Sequence, residues 1–191
     1  SLHLMRFSAP TALLVVILIS GFCESVSAQS LRLNIQGNNA NRGTFRVGEV
    51  VTFEVFGDLR GVEAAGFSLF ITVPDNAFQV VDQRPATADG GQVGVQPFIQ
   101  GPVFQGAGEQ ANLLIPETDP AASSFAGQQL EYAAVIGGAG NRIRTGSGVL
   151  ATFQLVCVQP IDNGFIEIDD NPIRETRLVL SDGFSEARFM T

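Results

Sequence analysis

The sequence predicts an all-β sandwich. Three observations carry that expectation: apolar and polar residues alternate with period two, Gly and Pro gather between the apolar runs, and no stretch sustains a helical stripe. In residues 50–56, Val51, Phe53 and Val55 alternate with Thr52 and Glu54. Phe67, Leu69 and Ile71 alternate with Ser68 and Thr72, and Phe70 is an apolar interruption of the polar side. A strand turns such alternate residues to opposite faces, so each run has one face to bury. Residues 149–158 are apolar for longer, which is the pattern of a central strand covered on both faces. In chain order the other expected strands cover 31–36, 78–82, 111–115, 130–136, 165–168, 177–180 and 186–190. Turn chemistry separates them, notably at Gly57 with Asp58, Asp75 with Asn76, Asn163 with Gly164, and Asp182 with Gly183. Residues 84–110 are rich in Gly, Gln and Pro and read as a long loop holding a weak strand near 98–104. Residues 120–129 have room for one short turn of helix.

The amino-terminal stretch has the pattern of a secretory signal peptide. Met5 and Arg6 open it, residues 12–22 form its apolar core, and Val26, Ser27 and Ala28 supply small residues before a cleavage point. Pro10 and Ser20 interrupt the apolar run, which is too short to favour a spanning helix. The expected division is therefore 1–28, upstream residues and signal peptide, and 29–191, one secreted β-sandwich domain without membrane insertion. Secretion would place it outside the cell, in the medium or on the cell surface.

Composition narrows the chemistry. The chain carries 19 Asp and Glu against 11 basic residues, all of them Arg, for a net charge of −8. That balance disfavours nucleic acid and anionic membranes as partners. The only histidine, His3, precedes the expected mature chain, so Ser-His-Asp, Cys-His and His-ligated metal sites lack their imidazole. Cys157 is the one cysteine after residue 28, and its apolar neighbours mark it as a core thiol rather than half of a disulfide. Gly138, Gly140 and Ile143 fail the dinucleotide fingerprint at its third glycine, and the chain has no Lys for a phosphate-binding loop. Paired carboxylates remain as a route to acid-pair hydrolysis, and Asp162, Glu167, Asp169 and Asp170 are the densest acidic group, but such a cluster reads as a solvated strand end. Pro172 and the missing Gly also break any EF-hand pattern there. No catalytic residue, metal or cofactor is expected.

Two stretches, residues 47–82 and 146–158, resemble the cohesin family in order and spacing. The first holds Val47, Gly48, Glu49, Val50, Val51 and Thr52, then Gly66, Phe67, Ser68, Leu69, Phe70, Ile71 and Thr72, with Pro74, Asp75, Asn76, Ala77 and Phe78 at the turn. The second holds Gly148, Val149, Leu150, Ala151, Thr152, Phe153, Gln154, Leu155 and Val156. The resemblance covers most of residues 31–190. It implies a nine-stranded jelly-roll sandwich, and a sheet face that docks a protein partner, a dockerin in cellulose-degrading assemblies. On that face it implies contact through Gly66, Ser68, Phe70 and Thr72, with Phe70 either an apolar anchor or a residue covered by a neighbouring loop or strand, and through Asp75 and Asn76 in the turn. Gly66 and Ser68 stand where cellulosomal cohesins often carry Asn and Asp.

The expected function is thus a secreted, non-catalytic module for protein–protein adhesion or scaffolding. The alternative is a carbohydrate-binding module on a related sandwich, with polysaccharide as partner. It is weakened because the chain has no Trp and a single Tyr, Tyr132, whereas sugar platforms stack flat rings that carry a polar tip. Its 15 Phe sit mostly in apolar runs, where they belong to the core.

Overall fold

The computed structural model describes residues 29–36, 44–74, 76–84, 94–115, 127–137, 144–160, 165–169 and 174–189. The expected signal segment, Asp75, the glycine loop at 138–143, Asp162, Asp170 and most of 120–129 lie outside these residues. The described part contains eleven strands: β1 (Ser30–Ile35), β2 (Val50–Asp58), β3 (Ala64–Val73), β4 (Phe78–Val80), β5 (Phe98–Gln100), β6 (Gly108–Leu114), β7 (Gln128–Val135), β8 (Ser147–Cys157), β9 (Glu167–Ile168), β10 (Arg177–Leu180) and β11 (Glu186–Arg188).

These strands fill nine positions in two antiparallel sheets. The first sheet runs β1–β2–β8–β4, with β5 also on β8. β4 pairs with residues 155–157 of β8 and β5 with residues 151–153, so the two lie end to end along one edge. The second sheet runs β11–β10–β3–β7–β6, with β9 also on β3. β9 pairs with Ile71 and Thr72, and β10 with residues 64–68, so these too share one edge. The nine-stranded sandwich expected from the sequence is present, with two positions each built from two short segments.

Alternation explains the packing. Val51, Phe53 and Val55 of β2, Phe67, Leu69 and Ile71 of β3, and Leu130, Tyr132 and Ala134 of β7 all enter the core between the sheets. Cys157 joins them as a buried free thiol. An aromatic chain crosses the interior: Phe53 stacks on Phe153 at 5.2 Å, Phe153 meets Phe98 at 5.4 Å, and Phe98 meets Tyr132 at 5.2 Å. Tyr132 and Phe67 continue it at 5.7 Å. Each such pair adds roughly 0.5–1.5 kcal/mol beyond the area it buries.

Two expectations about the elements change. Strand β8 is central, yet only one of its faces is buried: Ala151, Phe153, Leu155 and Cys157 turn inward, while Val149, Thr152, Gln154 and Val156 are half-buried on the outside. Outward valines hid the alternation. The weak strand expected at 98–104 breaks after Gln100 into a 3-10 turn, Pro102–Phe104. Gly101 marks the break, because a Cβ there would sit 2.2 Å from the Val149 carbonyl oxygen. Pro102 then opens the turn with its φ already suited to it.

Asn112 closes an edge. From β6 its Oδ1 accepts the Phe98 N–H and its Nδ2 donates to the Phe98 carbonyl, both at 2.9 Å. The amide thereby stands in for a neighbouring strand beside β5 and ties the two sheets together, which blunts a sheet edge.

Candidate partner-binding face

The outer face of the second sheet carries the row singled out from the sequence. Core-facing Phe67, Leu69 and Ile71 leave Gly66, Ser68, Phe70 and Thr72 turned outward, as the period requires. Their cross-strand neighbours on β7 are Val135 for Gly66, Ala133 for Ser68, Glu131 for Phe70 and Gln129 for Thr72.

The row is not open to solvent. Where β9 gives way to β10, the chain clasps β3 at Phe70. The Asp169 N–H donates to the Phe70 carbonyl at 2.8 Å, and the Phe70 N–H donates to Thr176 Oγ1 at 2.9 Å. The Thr176 hydroxyl donates in turn to the Asp169 carbonyl at 2.6 Å. A threonine side chain thus replaces one rung of the backbone ladder. Thr72 Oγ1 donates to Asp169 Oδ2 at 3.0 Å, and Ser68 Oγ donates to the Glu175 carbonyl. Arg174 reaches over to Glu131, with Nε 2.8 Å from Oε2, on the far side of Phe70.

Of the two expectations for Phe70, the covered one matches its burial. Its ring is 1% exposed, so it is not a surface anchor. It is outside the inter-sheet core, buried on the opposite face of β3. Gly66 is also buried, and a Cβ there would lie 2.7 Å from the Ala134 carbonyl oxygen, so its small size serves the close approach of β3 to β7. Ser68 and Thr72 are half-buried under the clasp, Asn76 is exposed, and Asp75 lies outside the described residues. Of the acidic group noted in the sequence, Asp169 is a clasp residue and Glu167 an exposed strand residue, so the described pair is divided between two roles.

Gln129 is the residue that sequence reasoning missed on this face. It is 1% exposed, and neither its amide nitrogen nor its oxygen has a hydrogen-bond partner. A buried primary amide without partners costs on the order of 1–3 kcal/mol per group. The three arginines placed on the face are all paired, while Glu167 and Asp169 beside Thr72 leave it slightly acidic. Arg177 pairs with Glu175 and with Glu186, both at 2.6 Å, and Arg188 lies 3.4 Å from Glu175. With Arg174 on Glu131, the face reads as alternating signs, which favours recognition by shape and hydrogen bonds over long-range steering. Among the described residues, no group of three or more His, Cys, Asp or Glu is placed to hold a metal ion.

No protein-family model and no curated protein matches this sequence. Solved structures do match in fold. A type II cohesin domain from the cellulosome of Acetivibrio cellulolyticus aligns with TM-score 0.57 at 13% identity, covering 86% of this chain and 92% of that one. A type II cohesin from Bacteroides cellulosolvens aligns with TM-score 0.54 at 15% identity, covering 83% and 91%. A type I cohesin–dockerin complex from Clostridium thermocellum gives TM-score 0.54 at 11% identity, covering 85% and 92%. Two sheets in nine positions, and alignments that span most of both chains, establish that this chain has the cohesin fold.

Proposed function

We propose that the chain is a secreted, non-catalytic adhesion module that binds a protein partner of dockerin type through the outer face of its second sheet. The observation that carries this reading is the fold: the similar structures are cohesins, one of them solved in complex with a dockerin. The leader pattern at 1–28 supports secretion, and the lack of any His after His3 supports a role without imidazole-based catalysis. The partner sits over the clasp, contacting Asp75 and Asn76 at one end and the Ser68 and Thr72 rows where the clasp leaves them half-buried. Gly66 and Phe70 act from beneath, the first by close strand approach and the second by supporting Asp169 and Thr176.

Burial of Tyr132, 0% exposed, takes away the one ring that combined a flat face with a polar tip, so the polysaccharide reading loses its best residue. The test is titration of the purified chain against type I and type II dockerin modules, with pull-down from the source secretome. Saturable binding to a dockerin-bearing protein is expected, and Thr72→Arg weakens it by about tenfold or more, as a bulky charge in an interface centre does. Retention of cellulose, xylan or chitin with no protein bound would overturn the reading.

A further inference from the structure

The first sheet ends in an open edge whose phase can be worked out. The Gln36 N–H donates to the Thr52 carbonyl at 2.9 Å, and the β1–β2 register places Asn34 opposite Glu54 and Arg32 opposite Phe56. Antiparallel geometry then turns the backbone groups of Ser30, Arg32 and Asn34 toward β2, and those of Leu31, Leu33 and Ile35 toward the free edge. No strand pairs with that edge among the described residues. A groove of about 330 Å³ runs beside it, between β1 and β9, lined by Leu31, Arg32, Leu33, Ile166, Glu167 and Ile168. Elsewhere the fold closes such an edge, as Asn112 does for β5.

The geometry points to a second copy of this chain as the occupant, its β1 added antiparallel to the first about a two-fold axis at Leu33. In that register Leu33 faces Leu33 of the second copy, and Leu31 faces Ile35. Each of these three pairs exchanges two N–H···O bonds, so every outward backbone group of 31, 33 and 35 is satisfied. Sliding by two residues strands part of the set, and sliding by one sets inward residues against outward ones. Side chains of 31, 33 and 35 face the core in both copies, so the apolar walls with Ile166 and Ile168 come together across the axis.

Charge complementarity supports the same register. On the outer side, Arg32 lies in one cross-strand row with Asn34 and then Glu54 of the second copy, and the symmetric row repeats the arrangement. Arg32 is exposed with its guanidinium 4.3 Å above the Phe56 ring, and Glu54 accepts from Gln36 Nε2 of its own chain at 2.5 Å, so the pair across the axis forms by Arg32 turning from the ring toward that carboxylate. The pairing leaves the outer face of the second sheet clear, so it is independent of the proposed partner face.

Sedimentation velocity across a concentration series tests this. The expected result is a reversible equilibrium between the 20.3 kDa chain and its dimer at physiological salt. Leu33→Pro deletes an outward N–H and spares the β2 ladder, so it abolishes the dimer while the circular dichroism spectrum stays that of the parent. Because Leu33 also touches the core, charge reversal is the second arm. Arg32→Glu and Glu54→Arg each weaken dimerisation by about tenfold, since each inverts two symmetric pairs, and the double reversal restores it. A chain that stays monomeric to its solubility limit overturns the proposal. So does a dimer that neither charge reversal weakens.

Discussion

Tyr132 shows how one buried residue sets a measurable property. Its side chain lies in the aromatic chain at 0% exposure, with the Glu109 carboxylate close to its hydroxyl. Burial, and then the nearby Glu109 carboxylate, push its pKa well above the ordinary value of 10. The folded chain therefore holds the proton longer than the unfolded chain does. Below about pH 10 both states are protonated and the contribution is whole; above it the unfolded chain ionises first, and stability falls as pH rises toward the folded pKa. No Lys and no second Tyr titrates in this window. Denaturant melts from pH 8 upward should show a loss of up to about 1.4 kcal/mol per pH unit that is absent in Tyr132→Phe. Tyrosinate absorbance in the parent should appear only with unfolding. Gln129 gives a second residue-level outcome. Gln129→Met removes two unpartnered buried polar atoms at similar volume, so urea melts should show stability raised by about 1–2 kcal/mol. A lowered midpoint would mean that the amide is satisfied in solution.

At the level of elements, the clasp between β9 and β10 decides what the β3 row can do. Thr176 serves two backbone groups at once, accepting from Phe70 N–H and donating to Asp169 O. Thr176→Val keeps the shape and removes both of these bonds, for an expected loss of about 1–3 kcal/mol. Hydrogen exchange should localise the change, with the Phe70 amide exchanging faster while Leu69 and Ile71 keep their protection. If the three amides respond alike, the clasp is not a separate opening unit. Strand β3 itself was legible, because its period of two runs unbroken in the sequence apart from Phe70. The clasp was not, because Phe70 and Thr176 are 106 positions apart and a lone Thr after Glu175 has no local signature. The break at Gly101 was equally hidden: the atom that forbids a side chain there belongs to Val149, in another strand.

For the whole molecule, the sandwich manages its edges unevenly. Asn112 plugs the edge at β5, and its two bonds to Phe98 also hold the first sheet to the second. The β1 edge has no such device, and pairing with a second copy is the outcome expected there. Charge follows the same division by location: the chain is acidic overall, yet the outer face of the second sheet is a set of paired arginines and carboxylates. Raising salt should therefore change partner affinity at that face only weakly, while easing the repulsion between two copies that each carry −8. Titration calorimetry and sedimentation at two salt concentrations separate the two effects.

Period-two patterning and the placing of Gly and Pro determined by themselves that this chain forms a two-sheet sandwich, and which residues of each strand face inward. They suffice because a strand with one apolar face has few ways to bury it, and sheet against sheet is the simplest. Which outward residues stay open was decided only by the tertiary structure. Exposure of Phe70, Gly66 and Gln129 depends on contacts between segments remote in sequence, and alternation says which way a side chain points without saying what lies above it.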